Sequence, residues 1–138
     1  VPPDSDSEGY WGPALAPDAS WIAYSSAEGT GRYQVWVQEV QGERRLQVST
    51  HGGLEPVWNA TRGEILYRRG NLVFASRITL EPDIEIGTPE VVFEATQFVD
   101  TPGISFDVSA DGERLYYVRR SLPEQRDRIH LVRNWSAP

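Results

Sequence analysis

The sequence predicts an all-β fold made of repeated four-stranded antiparallel sheets. Three observations carry this: one motif occurs three times, no window keeps a helical apolar period, and turn residues punctuate the whole length. The motif is Leu15 to Tyr24 (LAPDASWIAY), which returns as Trp58 to Tyr67 (WNATRGEILY) and Val108 to Tyr117 (VSADGERLYY). The three superpose without a gap. Each opens on an apolar residue, passes through a turn and ends apolar–x–Tyr (Ile22 and Tyr24, Ile65 and Tyr67, Leu115 and Tyr117). Offsets of 43 and 50 residues match one four-stranded propeller blade per repeat. The 12 Gly and 10 Pro are distributed as many short strands require.

At 138 residues the chain is long enough for one domain with a real core. Asp and Glu number 20 against 13 basic residues, all of them Arg, and the net charge is −7. A GC-rich genome is the ordinary account of the missing Lys. The acidic excess argues against nucleic acid as a partner, because phosphate backbones are bound by clustered positive charge. With no Cys there is neither a disulfide nor a thiolate metal site. No apolar run approaches the ~20 residues of a membrane-spanning helix, and no signal peptide is visible. The chain lacks Met and opens VPPDSDSEG, which leads us to expect a piece of a longer protein.

Taken in order, Val1 to Gly9 is Pro, Ser and acid and reads as a disordered linker. Residues 10–138 read as a propeller segment. Blade one spans 10–49. Its inner strand is Tyr10 to Ala16, followed by a Pro17–Ser20 turn, Trp21 to Ser26, Tyr33 to Val40 and a polar outer strand, Arg45 to Ser49. In Tyr33 to Val40 apolar side chains fall on both faces of the alternation, as a strand lying between two blades needs. Blade two spans 54–95, with strands at Leu54 to Trp58, Glu64 to Arg68, Leu72 to Ile78 and Glu90 to Glu94. Thr79 to Pro89 is a longer excursion. Blade three spans 104–135 and lacks an outer strand. Three blades cannot close a ring, since propellers have about four to eight. The expectation is half of a six-bladed propeller, completed by further blades or by a second copy.

The repeat resembles the TolB-like, WD-repeat-like propeller family, whose signature is roughly W-S-P-D-G-x-x-L/I-x-Y. Pro17-Asp18 and Asp111-Gly112 carry the likeness. The turn explains these residues: Asp accepts hydrogen bonds from the following amides, and Gly takes the left-handed conformation. Blade one departs with Ala19 in the Gly place, and blade two with Ala60-Thr61-Arg62 and Gly63 displaced by one. The segments SSAEGTGRYQVWVQEV, LQVSTHGGLEPVWN, IEIGTPEVVFEA and IHLVRNW resemble the C-terminal propeller of bacterial multidomain proteins, among them receptor-like serine/threonine kinases and winged-helix regulators. That resemblance implies a bacterial source and leans towards a periplasmic or extracytoplasmic location, with a cytoplasmic one left open. It does not imply an activity, because the fold hosts unrelated ones.

The residue inventory points away from catalysis. There is no G-x-S-x-G elbow, and His51 and His130 are the only histidines. Asp111 is accounted for by its turn. Ser109-Ala110-Asp111-Gly112 places Gly one position early for a sialidase-type turn. Asp107 is the one acid at its place in the inner strands, standing where blades one and two carry Ala14 and Val57, and is a candidate ion or ligand contact. No spacing suggests a metal site. The sequons at Asn59 and Asn134 read as chance. The doublets Arg44-Arg45, Arg68-Arg69 and Arg119-Arg120 read as edge charges that discourage strand pairing.

The expected function is a non-catalytic binding or scaffold module without cofactor or metal. It would engage a protein, peptide or other ligand and could close a six-bladed ring by homodimerisation. The alternative is the regulatory or substrate-gating propeller of a larger enzyme, a serine/threonine kinase or a prolyl-oligopeptidase-like peptidase. Loops before each inner strand and between second and third strands line one rim (Ala27–Arg32, Thr50–Glu55, Arg69–Asn71, Gln97–Gly103, Arg120–Arg128). Candidate partner-binding residues on or near it are Tyr10, Trp11, His51, Glu55, Asp100, Asp107 and Arg120, since aromatic and Arg side chains anchor interfaces.

Overall fold

The computed structural model describes residues 9–29, 31–98, 104–120 and 128–133. Residues 1–8 of the expected linker (1–9), Asp100, most of the loop after Arg120 and the Asn134 sequon lie outside the described residues. Within them the chain is all-β, in three antiparallel sheets that follow one another along the sequence. Among the described residues no helix is long and apolar enough to cross a membrane.

The first sheet is a meander of β1 (Tyr10–Leu15), β2 (Trp21–Ser26), β3 (Gln34–Glu39) and β4 (Arg45–Gln47). The second joins β5 (Leu54–Asn59), β6 (Glu64–Arg69) and β7 (Leu72–Thr79). Its outer position is shared. β9 (Glu90–Glu94) pairs with the first half of β7, and the short β8 (Glu85–Ile86) pairs with the second half. The expected excursion after Thr79 thus contributes a fifth strand, because β7 runs four residues past the reach of β9 and its backbone groups need partners. The third sheet holds β10 (Phe106–Val108), β11 (Arg114–Arg119) and β12 (Arg128–Arg133).

The sequence repeat is a repeat of register. Leu15 pairs with Ile22, Trp58 with Ile65, and Val108 with Leu115. Paired residues in an antiparallel ladder point to the same side and their neighbours to the other. Each strand therefore divides its apolar residues between two faces. In β6, Ile65 and Tyr67 join Trp21, Val35 and Val37 in a core between the first two sheets. Leu66, between them in sequence, joins Val57, Phe106, Leu115 and Tyr117 in a second core between the last two sheets. Ile65 and Leu66 are both wholly buried, each contributing about 1.5–3 kcal/mol of apolar transfer. The inner strand β5 touches β1, β2 and β3 before it and β10 after it. The sheets are stacked face to face in chain order.

Asp side chains close the turns. In β1–β2, Asp18 Oδ1 accepts from the Ser20 hydroxyl (2.7 Å) and amide (3.0 Å). In β10–β11, Asp111 Oδ1 accepts from the Ser109 hydroxyl (2.5 Å) and the Glu113 amide (3.0 Å). The Ser hydroxyls first, then the amides, hold both carboxyls below the usual Asp range. The residue after each Asp is left-handed, with φ +72° at Gly112 and +57° at Ala19. Left-handed backbone costs an L-residue about 1–2 kcal/mol, partly offset by the greater unfolded freedom of Gly. Ala19→Gly is expected to stabilise the fold, raising the thermal midpoint by about 2–4 °C in a calorimetric scan.

Tyr67 stacks on Phe74 at a centroid distance of 5.3 Å, and burial pushes its phenol from 10.0 up to about 12. A group whose folded pKa is raised stabilises fully below its unfolded pKa. That stability is lost as pH rises from 10 through the folded value of about 12. The urea midpoint of the wild type is expected to fall over this window, and that of Tyr67→Phe to fall less.

Candidate functional site

The rim loops converge at the end of the stack where β1 enters. The Gly53 amide donates to the Tyr33 carbonyl (3.0 Å) and the Gly52 amide to Gln34 Oε1 (2.9 Å), tying the β4–β5 connection to the start of β3. The Gln34 oxygen also accepts from the buried Ser49 hydroxyl. Gly53 has no room for a side chain: a Cβ there would lie 2.8 Å from Tyr67 Cδ2 and 3.0 Å from Ser49 Cβ. Arg69 Nη1 donates to the His51 carbonyl (3.3 Å). The Arg120 amide donates to the Gln97 carbonyl (2.8 Å), joining the last two rim loops in the same way.

Between the first two sheets this convergence leaves an open groove of about 460 Å³, with Arg32, Tyr33, His51, Leu54 and Arg69 among the residues that line it. The stems of Arg32 and Arg69 meet over Gly52, at 3.3 and 3.6 Å from where a Cβ would stand. The guanidinium of Arg69 also covers the Phe74 ring at 4.5 Å. His51 Nδ1 sits 2.9 Å from the Thr50 hydroxyl. No carboxylate is among the described lining residues, which makes this part of the groove locally basic on an acidic chain.

The expected site residues separate onto different surfaces. His51 lies in the rim groove. Arg120 is exposed on the rim beside Gln97. Tyr10 and Trp11 face a different groove on the outer side of the first sheet, where the Tyr10 hydroxyl donates to Glu28 Oε2 (3.3 Å) and its ring lies 5.8 Å from that of Tyr24. Asp107 is exposed on the far side of the third sheet, its Oδ1 accepting from the Val108 amide at 2.8 Å.

Glu55 is different again, at 3% exposure. It occupies a bulge with φ +57°, the position held by Gly12 (φ +66°) one repeat earlier. Its Oε2 accepts from the Ser105 amide (3.0 Å) and hydroxyl (2.5 Å), and its Oε1 lies 3.6 Å from Arg68 Nη1. Arg68 in turn donates to Ser105 Oγ (2.6 Å) and covers the Phe98 ring at 4.5 Å. This buried group clips the second sheet to the third. Asn59 makes a second clip, its amide donating to the Gly112 carbonyl (3.3 Å). With its nitrogen buried there, the Asn59 sequon has no exposed amide to modify.

Two of the three Arg doublets also pack on aromatic rings. Arg44 lies over Trp21 at 5.2 Å, Arg45 over Trp36 at 4.1 Å, and Arg68 and Arg69 over Phe98 and Phe74. Alternation sends the two members of a doublet to opposite faces, and each finds an aromatic ring. Arg32, Tyr33 and Arg69 entered the sequence reading only as ends of rim loops, a strand start and half of a doublet, not as site residues. The available signal for the two Arg was the glycine beside each in a rim loop (Gly31 and Gly70).

No protein-family model and no curated protein matches the chain. Among solved structures, TolB from Acinetobacter baumannii is similar at a TM-score of 0.44 and 18% identity, over 91% of this chain and 41% of that one. The chain thus spans less than half the length of that protein. The fold is all-β and antiparallel.

Breaking the buried clip leaves one charge uncompensated, which costs about 3–5 kcal/mol. Glu55→Ala is expected to lose about that much in urea unfolding. Ser105→Ala, which removes one hydroxyl contact, is expected to lose about 1–2 kcal/mol.

Proposed function

We propose that this chain is a non-catalytic binding module, a run of propeller blades amounting to half of a six-bladed ring. In this reading its rim groove takes an acidic segment of a protein partner. The observation that carries the proposal is the convergence of Arg32 and Arg69 over Gly52, beside His51, in a groove with no carboxylate among its described lining residues. On a chain of net charge −7 this is a local reversal of sign. Opposed charges across an interface steer encounter and select partners. Arg suits carboxylates because its planar fork can donate two parallel hydrogen bonds. Tyr33 and Leu54 provide apolar surface beside the charge. The turn accounts for Asp111 and the buried clip for Glu55, which leaves both acids with structural roles.

The test is a fluorescence-anisotropy titration with an octapeptide alternating Glu and Leu, alongside the same peptide with Lys for Glu. The acidic peptide is expected to bind and the basic one not. Arg32→Ala and Arg69→Ala are each expected to weaken binding roughly tenfold, about 1.4 kcal/mol. Raised salt is expected to weaken it further. Equal binding of the two peptides, or unchanged affinity in both variants, would sink the proposal.

A further inference from the structure

The register repeat assigns each sheet a leading face, directed towards the sheet before it, and a trailing face, directed towards the sheet after it. The residues carrying the leading face are Ile22, Ile65 and Leu115, each followed two positions on by Tyr. In the second and third sheets a preceding sheet covers them: Ile65 and Leu115 are wholly buried, and Tyr67 and Tyr117 nearly so. Trp58 Nε1 even donates across to the Ala14 carbonyl of the preceding sheet (2.8 Å).

The first sheet has the same leading face but no described sheet in front of it. Leu15 is 58% exposed, Val40 is 48% exposed, and with Ile22 and Tyr24 they border an open groove of about 630 Å³. On the same face the buried Trp36 Nε1 has no hydrogen-bond partner among the described residues. At the other end of the stack, the trailing face of the third sheet leaves Val118, Ile129 (77%) and Leu131 exposed. Tyr116 on that face stands one repeat after Leu66 and two after Ala23, both of which a following sheet buries completely.

We propose that the trailing face of β10–β12 in one chain covers the leading face of β1–β4 in a second copy, and that two such contacts close one ring. Both halves of the missing contact are present on this one chain, and each is the repeat equivalent of a face already buried inside it. Charge does not oppose this pairing: residues 10–49 hold three Arg against four acids, and residues 104–138 six Arg against five acids. Pairing two leading faces instead would leave both trailing faces bare. A stable interface buries about 800 Å² per partner, and closure buries two sheet faces of each chain at once. A head-to-tail contact either closes or propagates. Three sheets closing on three give six, within the range of about four to eight for closed propellers. This inference stands independently of the rim groove.

Light scattering with circular dichroism on the whole 138-residue chain tests it. The wild type is expected at twice 15.5 kDa. Leu15→Glu and Ile129→Asp, both at exposed side chains, are each expected to be folded monomers. Mixed in equal amounts they are expected to form a heterodimer, because the trailing face of the first still fits the leading face of the second. One of two contacts then survives, so the heterodimer should need higher concentration. Val40→Glu with Leu131→Asp repeats the experiment should either first variant misfold. A monomeric wild type, a ladder of larger species, an undisturbed dimer in Ile129→Asp, or a mixture still monomeric at about 1 mM (about 4 kcal/mol) would each overturn the proposal.

Discussion

The constraint on which this structure depends is the two-residue period of a β-strand. A strand that must be buried on both sides carries apolar residues at consecutive positions, one for each neighbour. Ile65 and Leu66 meet that requirement in the middle sheet and belong to two different cores. If β6 slipped by one residue against its partners, each would be delivered to the wrong sheet. The hairpin register Leu15–Ile22, Trp58–Ile65 and Val108–Leu115 is therefore the feature that positions the rest of the molecule, including the loops of the rim.

Polar contacts reinforce that stacking where apolar contact ends. Trp58 joins the first two sheets through its indole nitrogen, while Asn59 and the Glu55–Ser105–Arg68 group join the second to the third. These groups sit at the inner strands, where neighbouring sheets come closest. Buried polar groups of this kind contribute mainly by being satisfied together, because each would be costly alone. The left-handed backbone at Glu55 persists because the carboxylate is held at the far end by the next sheet. In the first repeat the corresponding position is Gly12 and no such clip exists.

Stacking also explains why the rim carries the candidate site. Once sheets lie face to face, the loops at one end are brought side by side, and side chains from different repeats share a groove. Arg32 belongs to the β2–β3 loop, His51 to the β4–β5 connection and Arg69 to the end of β6. Gly52 lets the two Arg stems approach by presenting no side chain between them. The same stacking leaves two apolar faces, one at each end, uncovered among the described residues.

The fold class, the three hairpins and the acidic turns were legible in the residues, because period and turn chemistry are local properties. Ala19 could be recognised as standing in a glycine position from the motif alone, and its φ of +57° agrees. The fifth strand at Glu85–Ile86 was not legible, since two residues carry no periodicity. The roles of Glu55 and Asn59 were not legible either, because their partners lie 50 and 53 residues away. A sequence shows that an acid occupies an inner strand, but not whether the next sheet supplies an amide, a hydroxyl and a guanidinium to receive it. By itself the sequence determined which faces are apolar and where the chain turns. Only the tertiary structure decided which polar groups are buried and which share a groove, because burial and convergence depend on distances between sheets and not along the chain.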